Sequence, residues 1–341
     1  MTRRPAAPWW SKLDQEELLD VRLCDLGIDI PGTALEARIA RLWRELERAG
    51  LRFRPHVWLS TGWFTPDGVP GFAAPFYLAH PRLARLEHKQ MYEVEGGTQR
   101  WCMKLLRHEA GHAFDNAYGL HRKALWRKTF GNYSEPYRWQ YRPNPGSRRF
   151  VQHLDFWYAQ SHPAEDWAES FAVWLGPRAT WRREYEGWPA LAKLEAVDSI
   201  VADLRGAAMV TRTRRKPGAL STERITLREH YKARKRAFVK DEPAEIDTEL
   251  LRLFSDERIH ARRPAAATFL RERRQELRAR VSELTGQYRY DVDQSLRMMM
   301  SRCKELGLRL SRSEAESRIG AAILLTMLST LSARGRQEFH R

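Results

Sequence analysis

The sequence predicts an α+β protein: a small sheet, then two motif-bearing helices, then a mainly helical, basic extension. Three observations carry this. Residues 56–81 contain two β-prone stretches, HVWLSTGWF and APFYLAHP, either side of a turn-forming Asp67-Gly68. Residues 98–119 and 161–177 have helical periodicity with clustered His and Glu. Beyond Thr222 the pattern is helical. At 341 residues the chain has room for a sizeable core and two domains. The expected division is an N-terminal helical segment (1–55), a central domain (56–210) and a helical C-terminal region (211–341).

In chain order, the first twenty residues include basic residues but have no apolar h-region, so they do not read as a signal peptide. Asp14 opens one helical segment. A second, over residues 33–50, sets Leu35, Ile39, Leu42 and Leu46 at helical spacing and is expected to be packing material. The β-prone stretches then predict a hairpin or small sheet, whose edge would suit an extended peptide pairing with it.

Next comes Arg107-His108-Glu109-Ala110-Gly111-His112, a HExxH pattern inside a helix that Thr98 caps and Gly119 stops. Two imidazoles four residues apart share one helical face, so both can bind one metal ion while Glu109 is left beside it to handle a proton. Trp101, Leu105, His108 and His112 form an apolar stripe with the histidines at its end. Leu106, Ala110, Ala113 and Ala117 form a second stripe, so the helix is central.

Residues 121–157 interleave Arg with Trp and Tyr. Such a segment either stacks on bases of single-stranded nucleic acid or lines a peptide cleft, and its place between the two motif helices favours a cleft or lid. Pro163 then suits a first helical turn, with Ser161 or His162 as cap and Gly176-Pro177 as stop. Trp167, Phe171 and Trp174 make one face of this helix, and Glu165, Ala168, Glu169 and Ala172 another. Alanines allow close approach to a neighbouring helix, and the two carboxylates then need a positive or hydrogen-bonding partner.

HExxH followed some fifty residues later by ExxAE resembles the gluzincin metallopeptidases. The longer string HPAEDWAESFAVWL is similar to the bacterial putative zinc-binding metallopeptidase family, over roughly residues 55–200. The resemblance implies a zincin-like catalytic domain in which Zn²⁺ is held by His108, His112 and Glu165. It also implies that Glu169 hydrogen-bonds a ligand histidine and that Glu109 is the general base for hydrolysis of a peptide or protein substrate. For the oxyanion donor it offers Tyr158, seven residues before Glu165, with His162 as competitor.

The rest of the chain bounds the setting. Cys24, Cys102 and Cys303 are odd in number and widely spaced, which predicts neither disulfides nor a thiolate site and fits a reducing, cytoplasmic compartment. The apolar run at 319–328 is too short to span a bilayer and is expected, with Met298-Met299-Met300, in a helical core. Residues 211–222 read as a linker or exposed loop, and five helical segments follow. Residues 201–341 carry +12 of the +16 net charge. The alternative function is therefore a non-catalytic scaffold whose basic helices bind nucleic acid or an acidic partner. It is not favoured, because acidic residues are interleaved throughout and Glu109 is intact.

Overall fold

Small side chains on one helix decide how the first part of the chain is assembled. The Gln99–Tyr118 helix begins where the Thr98 hydroxyl accepts the Trp101 N–H at 3.2 Å and ends at Gly119, in the left-handed region at φ 60°. Its Leu106, Ala110, Ala113 and Ala117 are fully buried, as a central helix requires. In the computed structural model, which describes residues 8–137, 143–176, 180–236 and 246–333, it is packed by the Pro163–Trp174 helix, by the Ala34–Arg48 helix and by a β-strand. The described residues fall into two compact units, 8–89 with 94–231 and 90–93 with 232–333.

The Ala34–Arg48 helix buries Leu35, Ile39, Leu42 and Leu46, as their spacing predicts. It also supplies Glu45, which takes a bidentate pair from Arg107 of the HExxH helix, Nε to Oε2 at 2.8 Å and Nη2 to Oε1 at 3.0 Å. Arg38 clamps the start of that helix by donating to the Gly96 and Gly97 carbonyls at 2.9 and 3.0 Å. The residue before the first metal-ligand candidate is thus fixed to a neighbouring helix.

Strands β1 (His56–Ser60) and β2 (Gly71–Pro75) pair, but in parallel, with Trp58 opposite Ala73. The expected hairpin is replaced because the chain reverses twice between them. It runs back through Phe64, which bridges Ala73 in antiparallel sense, and turns again at Asp67-Gly68. Asn116 of the HExxH helix holds this second turn, donating to the Pro66 and Val69 carbonyls and accepting the Gly68 N–H, all at 3.0 to 3.1 Å. Residues 211–219 are irregular but pinned, ahead of a 3-10 turn at Leu220–Thr222: side chains of His56, Trp58 and Ser60 donate to the carbonyls of Arg215, Pro217 and Gly218.

The second unit is built of helices Ile246–Leu253, Ala266–Glu272, Arg274–Thr285, Arg289–Glu305 and Glu314–Ala333, with a two-residue antiparallel pair, β3 (Phe254–Ser255) and β4 (Arg309–Leu310). The helix expected over 264–285 is broken at Arg273. Leu250, Leu270, Val292, Leu296, Met299 and Leu325 are fully buried at its centre, and Met298 and Met300 pack against them. The 319–328 run is core on one side only: Leu324, Leu325 and Leu328 are buried, whereas Ile319, Ile323 and Met327 are more than half or half exposed. No helix among the described residues is long and apolar enough to cross a membrane. All three cysteines are free, as expected.

Candidate metal centre

One helical turn separates His108 from His112, and their Nε2 atoms lie 3.2 Å apart. The third member arrives on the Pro163–Trp174 helix. Pro163 occupies its first turn, where a missing N–H costs nothing, and the His162 ring accepts the Ala164 N–H at 3.1 Å as the cap. Glu165 Oε2 then lies 3.1 Å from both histidine Nε2 atoms. The helices meet through Gly111 and Ala168: a Cβ on Gly111 would stand 3.0 Å from the Ala168 Cα and 3.2 Å from its carbonyl oxygen. Trp167 closes the same contact by donating from Nε1 to the Gly111 carbonyl at 2.9 Å.

Behind this triad the polar groups are paired. His108 Nδ1–H donates to Glu169 Oε1 at 2.8 Å, and Glu169 Oε2 accepts the Leu154 N–H at 2.8 Å. Glu169 is fully buried, so the carboxylate that fixes the His108 tautomer is itself held on both oxygens. Next to it, burial pushes His153 down to about 4 and keeps that imidazole neutral while its Nε2–H donates to the Lys104 carbonyl.

These donors call for a cation. With His108 Nδ1–H given to Glu169, a neutral His108 presents an Nε2 lone pair to the Glu165 carboxylate and to His112. Three electron-pair donors so close repel unless a positive charge sits among them. Without a metal the charge is a proton. Burial lowers the His108 pKa, but the hydrogen-bonded Glu165 and Glu169 carboxylates outweigh it and raise it well above the usual imidazole value. Burial likewise works to raise Glu165, and the two histidines overcome it, holding its carboxyl well below the ordinary range. Zinc bonds of about 2.0–2.1 Å in tetrahedral geometry keep ligand atoms about 3.3 Å apart, close to the separations found here. The two-nitrogen, one-oxygen set suits zinc and other first-row divalent ions. His108, His112 and Glu165 are therefore a candidate metal site.

Glu109 is buried beside the triad but its carboxylate is not part of it. Thr65 Oγ1 donates to its Oε2 at 2.7 Å. Burial raises its pKa, partly offset by His108, His112 and the Thr65 hydroxyl. The Tyr158 ring lies tilted over His108, centroids 5.7 Å apart. His162 has both nitrogens engaged, Nδ1 in the helix cap and Nε2–H on the Glu135 carbonyl at 2.7 Å. It serves the helix that carries Glu165.

Two further residues at the site carry no signal in the sequence. One is Thr65. The other is Tyr137, whose hydroxyl donates to Glu165 Oε1 at 2.8 Å while its ring stacks 3.9 Å from that of His162. Burial and the Glu165 charge raise the Tyr137 pKa, so the phenol stays a donor. Tyr137 lies in the stretch expected to form a cleft or lid, but nothing in the sequence distinguishes it from the tyrosines around it. Tyr133 ties the same stretch down, donating to Asp67 Oδ1 at 2.9 Å and stacking on His121. Trp126 and Phe130, expected to line a cleft or stack on bases, are instead core residues packed near Trp167. Trp139 and Tyr141 lie outside the described residues. Compared with protein-family models, with curated proteins and with solved structures, the chain finds no match.

Proposed function

We propose that the protein is a zinc metallopeptidase of the gluzincin kind, with a zincin-like domain that hydrolyses peptide bonds. The observation that carries this reading is Glu109. A structural zinc site closes with four protein ligands and has no need of a carboxylate outside the set. Here three candidate ligands converge, and a carboxylate outside the set, that of Glu109, is buried beside them with one oxygen held by Thr65.

Zinc bound by His108, His112 and Glu165 would supply Lewis acidity, lowering the pKa of a water and polarising a substrate carbonyl. The chain's own groups do the rest. Glu109 accepts the proton of the attacking water and delivers it to the leaving amine. Its burial raises its basicity toward that task. Glu169 keeps His108 in the Nδ1–H tautomer, which leaves Nε2 free to ligate. Tyr137 orients Glu165 by holding Oε1, so that Oε2 faces the histidines. Tyr158, beside His108, is the donor proposed for the developing oxyanion.

Elemental analysis tests the site first. The purified protein is expected to hold about one zinc per chain, and His108→Ala, His112→Ala and Glu165→Ala each to lose it. Glu109→Gln is expected to keep zinc and fold and to lose hydrolysis of casein-type or peptide substrates by at least about a hundredfold. Full zinc retention in Glu165→Ala would remove the third ligand, and wild-type hydrolysis by Glu109→Gln would remove the base. Tyr158→Phe is expected to lower kcat with KM and zinc content nearly unchanged, since its hydroxyl acts in the transition state. An unchanged kcat there would take the role from Tyr158.

A further inference from the structure

In the second unit a single carboxylate faces three guanidinium groups. Asp293, on the Arg289–Glu305 helix, is fully buried. Its Oδ1 accepts from Arg274 Nε at 2.8 Å and Arg278 Nη1 at 3.0 Å, and its Oδ2 from Arg274 Nη2 at 2.5 Å and Arg297 Nε at 2.9 Å. Arg274 and Arg278 are one turn apart on their helix, as are Asp293 and Arg297 on theirs, so the packing of two helices assembles the group. Lys235, whose ammonium is bonded to Gln90 Oε1, adds a fourth cation near Arg297. Three guanidiniums thus meet the one carboxylate of Asp293, with the Lys235 ammonium beside Arg297. Glu93, on the adjoining segment, has Oε1 engaged with the Arg289 N–H at 3.1 Å.

A second observation comes from Tyr92. Its φ of 65° lies in the left-handed region, which a tyrosine rarely adopts and which concentrates at functional positions. Its ring lies 4.1 Å from the Arg278 guanidinium carbon, and its oxygen accepts from Arg297 Nη2 at 2.8 Å and Arg274 Nη2 at 3.4 Å. Among the described residues no acceptor takes the hydroxyl's own hydrogen. Asp293 also leaves Nη1 of Arg274, Nη2 of Arg278 and Nη1 of Arg297 without a partner among the described residues. The excess charge, these donors and the strained tyrosine all point to a missing anion.

We propose that Arg274, Arg278, Arg297 and Lys235, with the Tyr92 hydroxyl, bind the phosphodiester backbone of a nucleic acid. Guanidinium forks match phosphate oxygens, and backbone N–H groups play no part here. The arginine side chains are 28, 16 and 50 % exposed, so the site is an open face that suits a phosphate carried on a long chain. Residues 201–341, which contain all four cations, carry +12 of the +16 net charge, which draws a polyanion to them. Recognition through phosphates alone is independent of base sequence.

Fluorescence anisotropy of a labelled single-stranded 20-mer, titrated with the full-length protein at several salt concentrations, tests this. The double variant Arg297→Gln, Lys235→Gln is expected to bind at least about fivefold more weakly. It should also lose about 1.4 from the slope of log affinity against log salt, two phosphate contacts at about 0.7 each. Tyr92→Phe, which keeps every charge, is expected to weaken binding about twofold or more through loss of one hydrogen bond. A net-charge control in the first unit, Lys128→Gln with Arg224→Gln, should change neither by as much, and thermal melting checks that each variant is folded. An affinity and slope in the double variant equal to those of the control would overturn the proposal. So would a wild type that binds inorganic phosphate at this site but not the oligonucleotide.

Discussion

Two buried polar clusters, one in each unit, are unbalanced in opposite senses. Around His108 the carboxylates of Glu165, Glu169 and Glu109 surround two imidazoles, and the set suits a cation. Around Asp293 the charged groups are guanidiniums, and the set suits an anion. The first is made of short side chains locked from behind and is at most 6 % exposed except at His112. The second is made of long arms whose outer halves reach water. A short, rigid set selects one ion at one distance, whereas a splayed set meets a repeating charge whose exact position matters less. The sign of a buried imbalance indicates the class of ligand, and the stiffness of the side chains indicates how selective the site is.

The largest effect that would break this contrast is in the second cluster. Asp293→Asn leaves three guanidiniums facing one another and is expected to cost about 2–3 kcal/mol of stability. That is less than the 3–5 of a fully buried pair because the arginines keep part of their hydration. Burial works to raise the Asp293 pKa, but Arg274, Arg297 and Arg278 outweigh it and hold it below its ordinary value. A depressed carboxylate contributes stability above its unfolded pKa of about 3.9 and loses it as pH falls through the folded value. Urea midpoints at pH 7 and pH 3 should therefore differ less in Asp293→Asn than in the wild type. An equal pH effect in both proteins would show that the carboxylate is not what the arginines depend on.

The next effect sharpens the comparison in the first cluster. Glu169→Gln keeps the shape of the side chain but removes the charge behind His108, and zinc affinity measured by chelator competition is expected to fall about 10- to 100-fold. Unaltered affinity would mean that the buried carboxylate contributes packing alone. Smaller still is Tyr137→Phe, which frees Glu165 Oε1. One hydrogen bond to a charged oxygen from a partly exposed tyrosine is worth about 1–1.5 kcal/mol, so zinc should bind about five- to tenfold more weakly with stoichiometry unchanged. Loss of all zinc from that variant would make Tyr137 essential to the site rather than an aid to Glu165.

Much of the first cluster is legible in the chain because helices repeat at short range. His108 and His112, or Glu165 and Glu169, lie four apart, and the alanines beside them announce a close neighbour. What the chain hides is whatever meets across long separations. Thr65 reaches Glu109 only because the strands and the turn held by Asn116 bring it there, and the double reversal that makes β1 and β2 parallel has no short-range signature. Tyr137 reaches Glu165 from 28 residues away. The Asp293 cluster is hidden differently. Its residues have helical spacing, but interleaved Arg and Asp on helices look the same whether they face solvent or converge. Tyr92 lies some 180 residues from Arg274.

The contact at Gly111 bears on how such motifs are read. The two middle letters of HExxH are usually written as free, yet here the second of them faces the Ala168 backbone at a distance that leaves no room for a methyl group without the neighbour giving way. Ala110 beside it is buried, so neither letter is open to arbitrary residues. Gly111 acts as a spacer that sets how far Glu165 stands from the histidines, and a ligand set can be lost through it with all three ligands intact. Because the closest atoms are the Ala168 backbone, no change of the side chain at 168 makes that room, and a residue larger than glycine at 111 asks the helix that carries Glu165 to shift while His108, Glu109, His112 and Glu165 all stay in the sequence.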